Sequence, residues 1–173
     1  HFVAAQDKGL KTVAQLVDMV KAGKAVNVAA PMKGTSDLPL IENILAFYGI
    51  SLDAIQKAGG KVHQAVYADM VSLYKDRHVD FVFTHLAIPA AAVTEMFVSR
   101  ASSVLSVSDA CVDKLAKDLG TLGRDSGHQL IPKGTYKGQA EDVLAVVSTG
   151  ELLVGKKVPE DVVYTITKIL CQH

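Results

Sequence analysis

The chain has 173 residues, 49% of them apolar, and sets 18 Lys and Arg against 18 Asp and Glu. That length and apolar content are enough to bury the core of a single α/β domain. A formal net charge of zero argues against a phosphate-neutralising face for nucleic acid, and no apolar run approaches the ~20 residues of a membrane-spanning helix. The opening residues His1-Phe2-Val3-Ala4-Ala5 lack the basic-then-apolar order of a signal peptide. Cys111 and Cys171 read as unpaired, buried core thiols, and the six His are scattered without zinc spacing, so neither a metal nor a cofactor is expected.

In chain order, residues 1–5 read as a strand. Val13, Leu16, Val17 and Val20 have helical spacing, with Thr12 as N-cap and Gly23 as the stop. Residues 25–30 form a short strand and 31–37 a turn-rich loop, followed by a helix over 40–48. A brief helical turn begins at Ser51 and is broken by Gly59-Gly60. Residues 62–66 predict a strand, and 67–77 a helix packing Met70, Leu73 and Tyr74. The β-branched and aromatic run Val79-Asp80-Phe81-Val82-Phe83-Thr84 is the clearest strand. Asp80 inside it reads as a turn or cap residue. The loop 85–89 follows, with Pro89 suited to the first turn of a helix over 90–98. Residues 104–107 predict a strand, and Ser108 or Asp109 caps a helix to Leu119. After an irregular stretch, 143–147 and 152–154 are expected to be extended. Pro159 opens a helix whose apolar face is Val162, Val163, Ile166, Ile169 and Leu170. This alternation predicts an α/β fold: a mixed, mainly parallel sheet with helices on both faces.

In open sheets of this kind, ligands bind beyond the carboxyl ends of the strands, where helices begin. The loops 31–37 and 84–89 meet that description. Unpaired N–H groups and the partial positive charge of a helix N-terminus suit a carboxylate or phosphate. In the first loop Lys33 adds a full charge, Thr35 and Ser36 add hydroxyl donors, and Gly34 lets backbone approach a ligand. In the second, Thr84, His85 and Pro89 are the candidates. Each also has an ordinary reading: Lys33 as a solvated lysine, Thr35 or Ser36 as an N-cap, His85 bonded to nearby backbone. Tyr67 and Tyr74 read as packing residues. The first loop has neither a P-loop ending nor a GxGxxG pattern, and the chain contains no GxSxG or HExxH, so no catalytic residue is assigned. A contact joining Ser36, His85 and an acid would favour an enzyme instead.

Several segments carry a family pattern. They are Gly9-Leu10-Lys11-Thr12-Val13-Ala14-Gln15-Leu16, then Val26-Asn27-Val28-Ala29-Ala30-Pro31-Met32-Lys33-Gly34-Thr35, then Val79-Asp80-Phe81-Val82-Phe83 with Pro89 beyond it. The most specific are Ile131-Pro132-Lys133-Gly134-Thr135-Tyr136-Lys137-Gly138-Gln139, followed by Glu141-Asp142-Val143, and Pro159-Glu160-Asp161-Val162-Val163-Tyr164-Thr165-Ile166-Thr167-Lys168. In this order, and through almost the whole chain, they resemble the TAXI family, the TRAP-associated extracytoplasmic immunogenic proteins. The resemblance implies one lobe of a type II periplasmic-binding-protein fold. It also implies an extracytoplasmic receptor that captures a small carboxylate, such as an amino acid or related organic acid, for the membrane subunits of a TRAP transporter. Residues 1–140 would be the second, ligand-binding lobe. Residues 141–173 would be a crossing strand and helix returning toward a first, N-terminal lobe, with a dimer or swapped assembly as the other way to cover that helix. The contacts carried over are Gly34, Thr35 and the 84–89 loop, with Tyr136 as a hinge or wall residue. Met32 and Lys33 stand where the family has Gly and Ser. Two other classes fit the same residues: the effector-binding domain of a transcription regulator, and a small α/β enzyme acting on an anionic substrate.

Overall fold

The structure is a computed structural model, and it describes every residue except Glu151 and His173. Its centre is a five-stranded sheet of β1 (Phe2–Ala5), β2 (Asn27–Pro31), β3 (Lys61–Ala65), β4 (Phe81–Phe83) and β5 (Ser102–Val104), in the order β3-β2-β4-β1-β5. β2 runs parallel to β3 and β4, whereas β1 is antiparallel to both β4 and β5. The sheet is therefore mixed and mainly parallel, the architecture of a periplasmic-binding-protein lobe. A separate antiparallel pair joins β6 (Leu130–Ile131) to β7 (Val143–Leu144).

Alternation along the strands divides the core in two. On β1, Phe2 and Ala4 face one cluster and Val3 and Ala5 the other. The first cluster takes α1 (Val13–Lys21), α2 (Asp37–Phe47), α3 (Leu52–Lys57) and α6 (Asp109–Leu119), through residues such as Leu16, Ile41, Ile55 and Leu115. The second takes α4 (Tyr67–Lys75) and α5 (Ala91–Ser99), through Met70, Tyr74, Val93 and Met96. Each such fully buried side chain contributes about 1.5–3 kcal/mol. Thr12 and Gln15 close a reciprocal capping box at α1: Gln15 N donates to Thr12 Oγ1 at 3.2 Å, and Thr12 N donates to Gln15 Oε1 at 3.1 Å. Gly60 is required for a different reason. A Cβ there would stand 2.2 Å from the Val26 carbonyl oxygen, because α3 returns against the start of β2.

Several boundaries differ from the pattern in the sequence. α2 begins at Asp37, not Leu40; Pro39 sits in its first turn, where a missing N–H costs no helical bond. β5 lies over Ser102–Val104 and not 104–107, since Ser102 is buried and its hydroxyl bonds Tyr74 Oη at 2.7 Å. On α4 the buried residues are Met70, Val71 and Tyr74, with Leu73 only partly covered. α5 starts at Ala91, which leaves Pro89 outside the first helical turn. Asp80 is an ion-pair residue, 2.9 Å from Lys8 Nζ and 2.8 Å from Arg100 Nη2. Residues 152–154 form no strand, and only Val143–Leu144 of 143–147 pair as one.

The last helix, α7 (Glu160–Gln172), has no buried residue. Val162, Ile166, Ile169 and Leu170 of its expected apolar face are all exposed. Of the two free cysteines, Cys111 is buried in α6, whereas Cys171 on α7 is exposed, contrary to the expectation of two buried thiols.

Candidate functional site

The carboxyl ends of β2 and β4 lead into the two loops that the sequence singled out, and both border one open groove of about 1090 Å³. The first turn of α2 forms one side and residues 85–88 another. β6, residues 145–150 and the stretch from Leu119 to His128 supply the rest of the wall, with Pro132 and Asp142. That volume accommodates a drug-sized solute.

At its polar end stands Asp37, the first residue of α2. Tyr67 Oη donates to Asp37 Oδ2 from the start of α4, and also reaches the His85 carbonyl at 3.4 Å. His85 Nδ1 lies 3.5 Å from Asp37 Oδ1, and its Nε2 pairs with Ser148 Oγ at 3.1 Å. With the His85 proton on Nδ1, the Ser148 hydroxyl donates to Nε2 and the ring N–H faces Asp37 Oδ1 across 3.5 Å, a long contact. A chain of neutral donors thus converges on one carboxylate. Burial holds the His85 pKa below its usual 6.5 despite the neighbouring Asp37, so the imidazole is mostly neutral at pH 7. The Tyr67 hydroxyl is pushed well up, first by burial and then by Asp37, and stays protonated.

The expected site residues divide into three groups. Ser36 and His85 border the groove. Lys33, Gly34 and Thr35 form an exposed turn before α2, outside the groove wall. Gly34 has a φ of 88°, and Thr35 Oγ1 donates back to the Met32 carbonyl at 2.9 Å. Neither Thr35 nor Ser36 caps α2 through its side chain. Thr84 is buried beneath the loop, its Oγ1 without a protein partner, while Pro89 is exposed and off the wall. Tyr136 is buried: it stacks on Phe97 with centroids 5.1 Å apart, accepts a bond from Ala90 N at 3.1 Å, and bonds His1 Nε2 at 2.7 Å. It supports the 84–90 loop from behind.

Asp37, Tyr67 and Ser148 were not assigned from the sequence. Asp37 closes the first loop and is the acid of its helix's first turn, a signal that was legible. Tyr67 reads as packing until its hydroxyl partner is known. Among the described residues the groove wall has the carboxylates of Asp37 and Asp142 and no Lys or Arg. An anion about 4 Å from Asp37 would meet ~4 kcal/mol of repulsion at an effective dielectric of ~20. Lys33, the charge that the sequence offered to an anion, is not among the lining residues.

A periplasmic-binding-protein lobe with a solute-sized groove at its strand ends defines a class of ligand-binding proteins. The profile of the NMT1-like family matches residues 1–173, and the chain belongs to that family. It is a periplasmic-binding-protein-like family, made of binding proteins and not of enzymes, with an extracytoplasmic solute-binding function. Among the described residues no helix is long and apolar enough to cross a membrane.

Proposed function

We propose that this chain is the ligand-gripping lobe of an extracytoplasmic receptor of the TAXI type, which captures a small amino acid or related organic acid and passes it to a TRAP transporter. The observation that carries this reading is the groove of about 1090 Å³ at the carboxyl ends of β2 and β4. The ligand's carboxylate belongs at the rim, where Lys33, Gly34, Thr35 and Ser36 precede the N-terminus of α2. Thr84, His85 and Pro89 form or support the facing loop, and Tyr136 holds that loop in place. Residues 1–140 are the gripping lobe and 141–173 the segment that crosses to a first lobe. Support for that division comes from α7, which is amphipathic yet leaves its apolar face uncovered. A second copy of the chain is the alternative cover.

The test is a thermal-shift screen of amino acids and organic acids, run on this chain and on a two-lobed receptor that contains it. Ligand at 100 times its Kd stabilises by about 2.7 kcal/mol. Stabilisation confined to the two-lobed protein is the expected result, since one wall of a cleft encloses too little of a small solute. Silence from both proteins against every solute would refute capture.

One observation favours a second reading, hydrolysis: Ser148, His85 and Asp37 stand in the order of a nucleophile, base and orienting acid. The serine is not the Ser36 that the sequence offered. A fluorophosphonate that labels Ser148 would carry this reading, and an unlabelled Ser148 would remove it.

A further inference from the structure

Two aspartates of this lobe are comparably sheltered, and they are neutralised very differently. The Asp80 side chain, 25% exposed, has Lys8 Nζ at 2.9 Å and Arg100 Nη2 at 2.8 Å. The Asp37 side chain, 20% exposed, has only the Tyr67 hydroxyl and the His85 imidazole. Among the described residues no Lys or Arg pairs with Asp37. The N-terminus of α2 offers Asp37 only a partial positive charge, which leaves room for a full positive partner. An ionised carboxylate offers about four acceptor sites; Tyr67 and His85 fill two, and the carboxylate borders the groove.

We propose that Asp37 is the residue that reads the ligand, docking a protonated primary amine at the α2 end of the groove, so that the receptor selects amine-bearing solutes over simple organic acids. This rests on the solute-binding reading above and narrows it. The ammonium brings three donors: it meets the free acceptor sites of Asp37, with the uncommitted Ser36 hydroxyl beside them. Tyr67 and His85 are positioning residues. Each holds one carboxylate oxygen, and Ser148 fixes the His85 ring from the far side.

The probes are butylammonium chloride, sodium butyrate and 1-butanol, titrated into an isotope-labelled two-lobed receptor that contains this chain at pH 7 while the Tyr67 and His85 resonances are followed by NMR. Butylammonium is expected to shift both residues at lower concentration than butyrate or butanol. Asp37→Asn should weaken butylammonium by about tenfold, the loss of one charge-assisted bond, and should leave butyrate unchanged or tighter. A misfolded variant would weaken all three probes together, so opposite responses of amine and acid identify the charge. Butyrate binding as well as butylammonium, or butylammonium indifferent to Asp37→Asn, overturns the amine assignment and leaves the groove as a solute site. If no probe perturbs either residue, the groove itself fails as a solute site, and the amine assignment falls with it.

Discussion

Tyr136→Phe isolates one hydroxyl whose removal should be felt far beyond its size. The ring is 2% exposed, and its stacking on Phe97, with centroids 5.1 Å apart, survives the substitution. What disappears is the acceptor for Ala90 N at 3.1 Å and the partner of His1 Nε2 at 2.7 Å. Ala90 is 8% exposed and is the N-cap residue of α5, where backbone N–H groups have no helical acceptor. A buried donor left without a partner costs about 1–3 kcal/mol, and little is recovered, because the cavity left by one oxygen is small. We expect a loss of about 2 kcal/mol. In urea denaturation the slope should stay as in the parent and the midpoint should fall, by about 1 M for a slope near 2 kcal/mol/M. Melting should fall by about 4–8 °C for a domain of this length. A variant within about 0.5 kcal/mol of the parent would refute the reasoning, since that is the effect of an ordinary surface change.

Gly60→Ala should cost about 3 kcal/mol, because the new Cβ meets the backbone oxygens of Val26 at 2.2 Å and Ile55 at 2.9 Å, whereas Gly123→Ala, with its nearest neighbour at 3.8 Å, should stay within about 0.5 kcal/mol; equal denaturation midpoints would contradict this. A thiol reagent on the folded chain should modify Cys171 and spare Cys111, whose thiol burial pushes up to about 11, until denaturant is added; two fast equivalents in buffer would contradict that burial. Removing everything from Pro159 onward should change the melting temperature by no more than about 2 °C, since α7 buries nothing on the lobe, and a much larger loss would show that it does. His85 is held neutral below its usual pKa of 6.5, so the unfolded chain takes up the proton first: stability is full above about pH 6.5 and falls as the pH drops below it. His85→Gln should flatten that slope relative to the parent, and identical pH profiles would refute the assignment.

Periodicity made most of the fold legible. Leu16, Val17 and Val20 on α1, and Val28 and Phe81 in the sheet, reach the core that their spacing foretold. What it could not convey were partners distant in sequence. Ser102 looks like loop until Tyr74, 28 residues earlier, supplies its hydroxyl bond and makes a polar strand tolerable in the interior. The site followed the same rule. Both loops and His85 were visible as strand-to-helix junctions, but the groove's chemistry depends on Tyr67 meeting Asp37 across 30 residues and on Ser148 meeting His85 across 63. Lys33 was legible as a cation beside a helix N-terminus, but sequence does not say which way its side chain turns. It is exposed and is not among the residues that line the groove.

The two unfinished features of this lobe share one stretch of chain. Residues 145–150 form one side of the groove, and Ser148 there bonds His85. The same stretch leads, by way of the turn before Pro159, to α7 and its uncovered apolar face. If the surface that receives α7 also sets where Ser148 stands against His85, it bears on how the imidazole meets Asp37. Linkage makes that relation reciprocal: a ligand that prefers one position of the 145–150 wall must favour the matching position of α7, by the same free energy. Asp37, by way of His85 and Ser148, and the exposed helix α7 are joined by one segment of chain, so a ligand that moves Ser148 and a surface that covers α7 act on the same stretch.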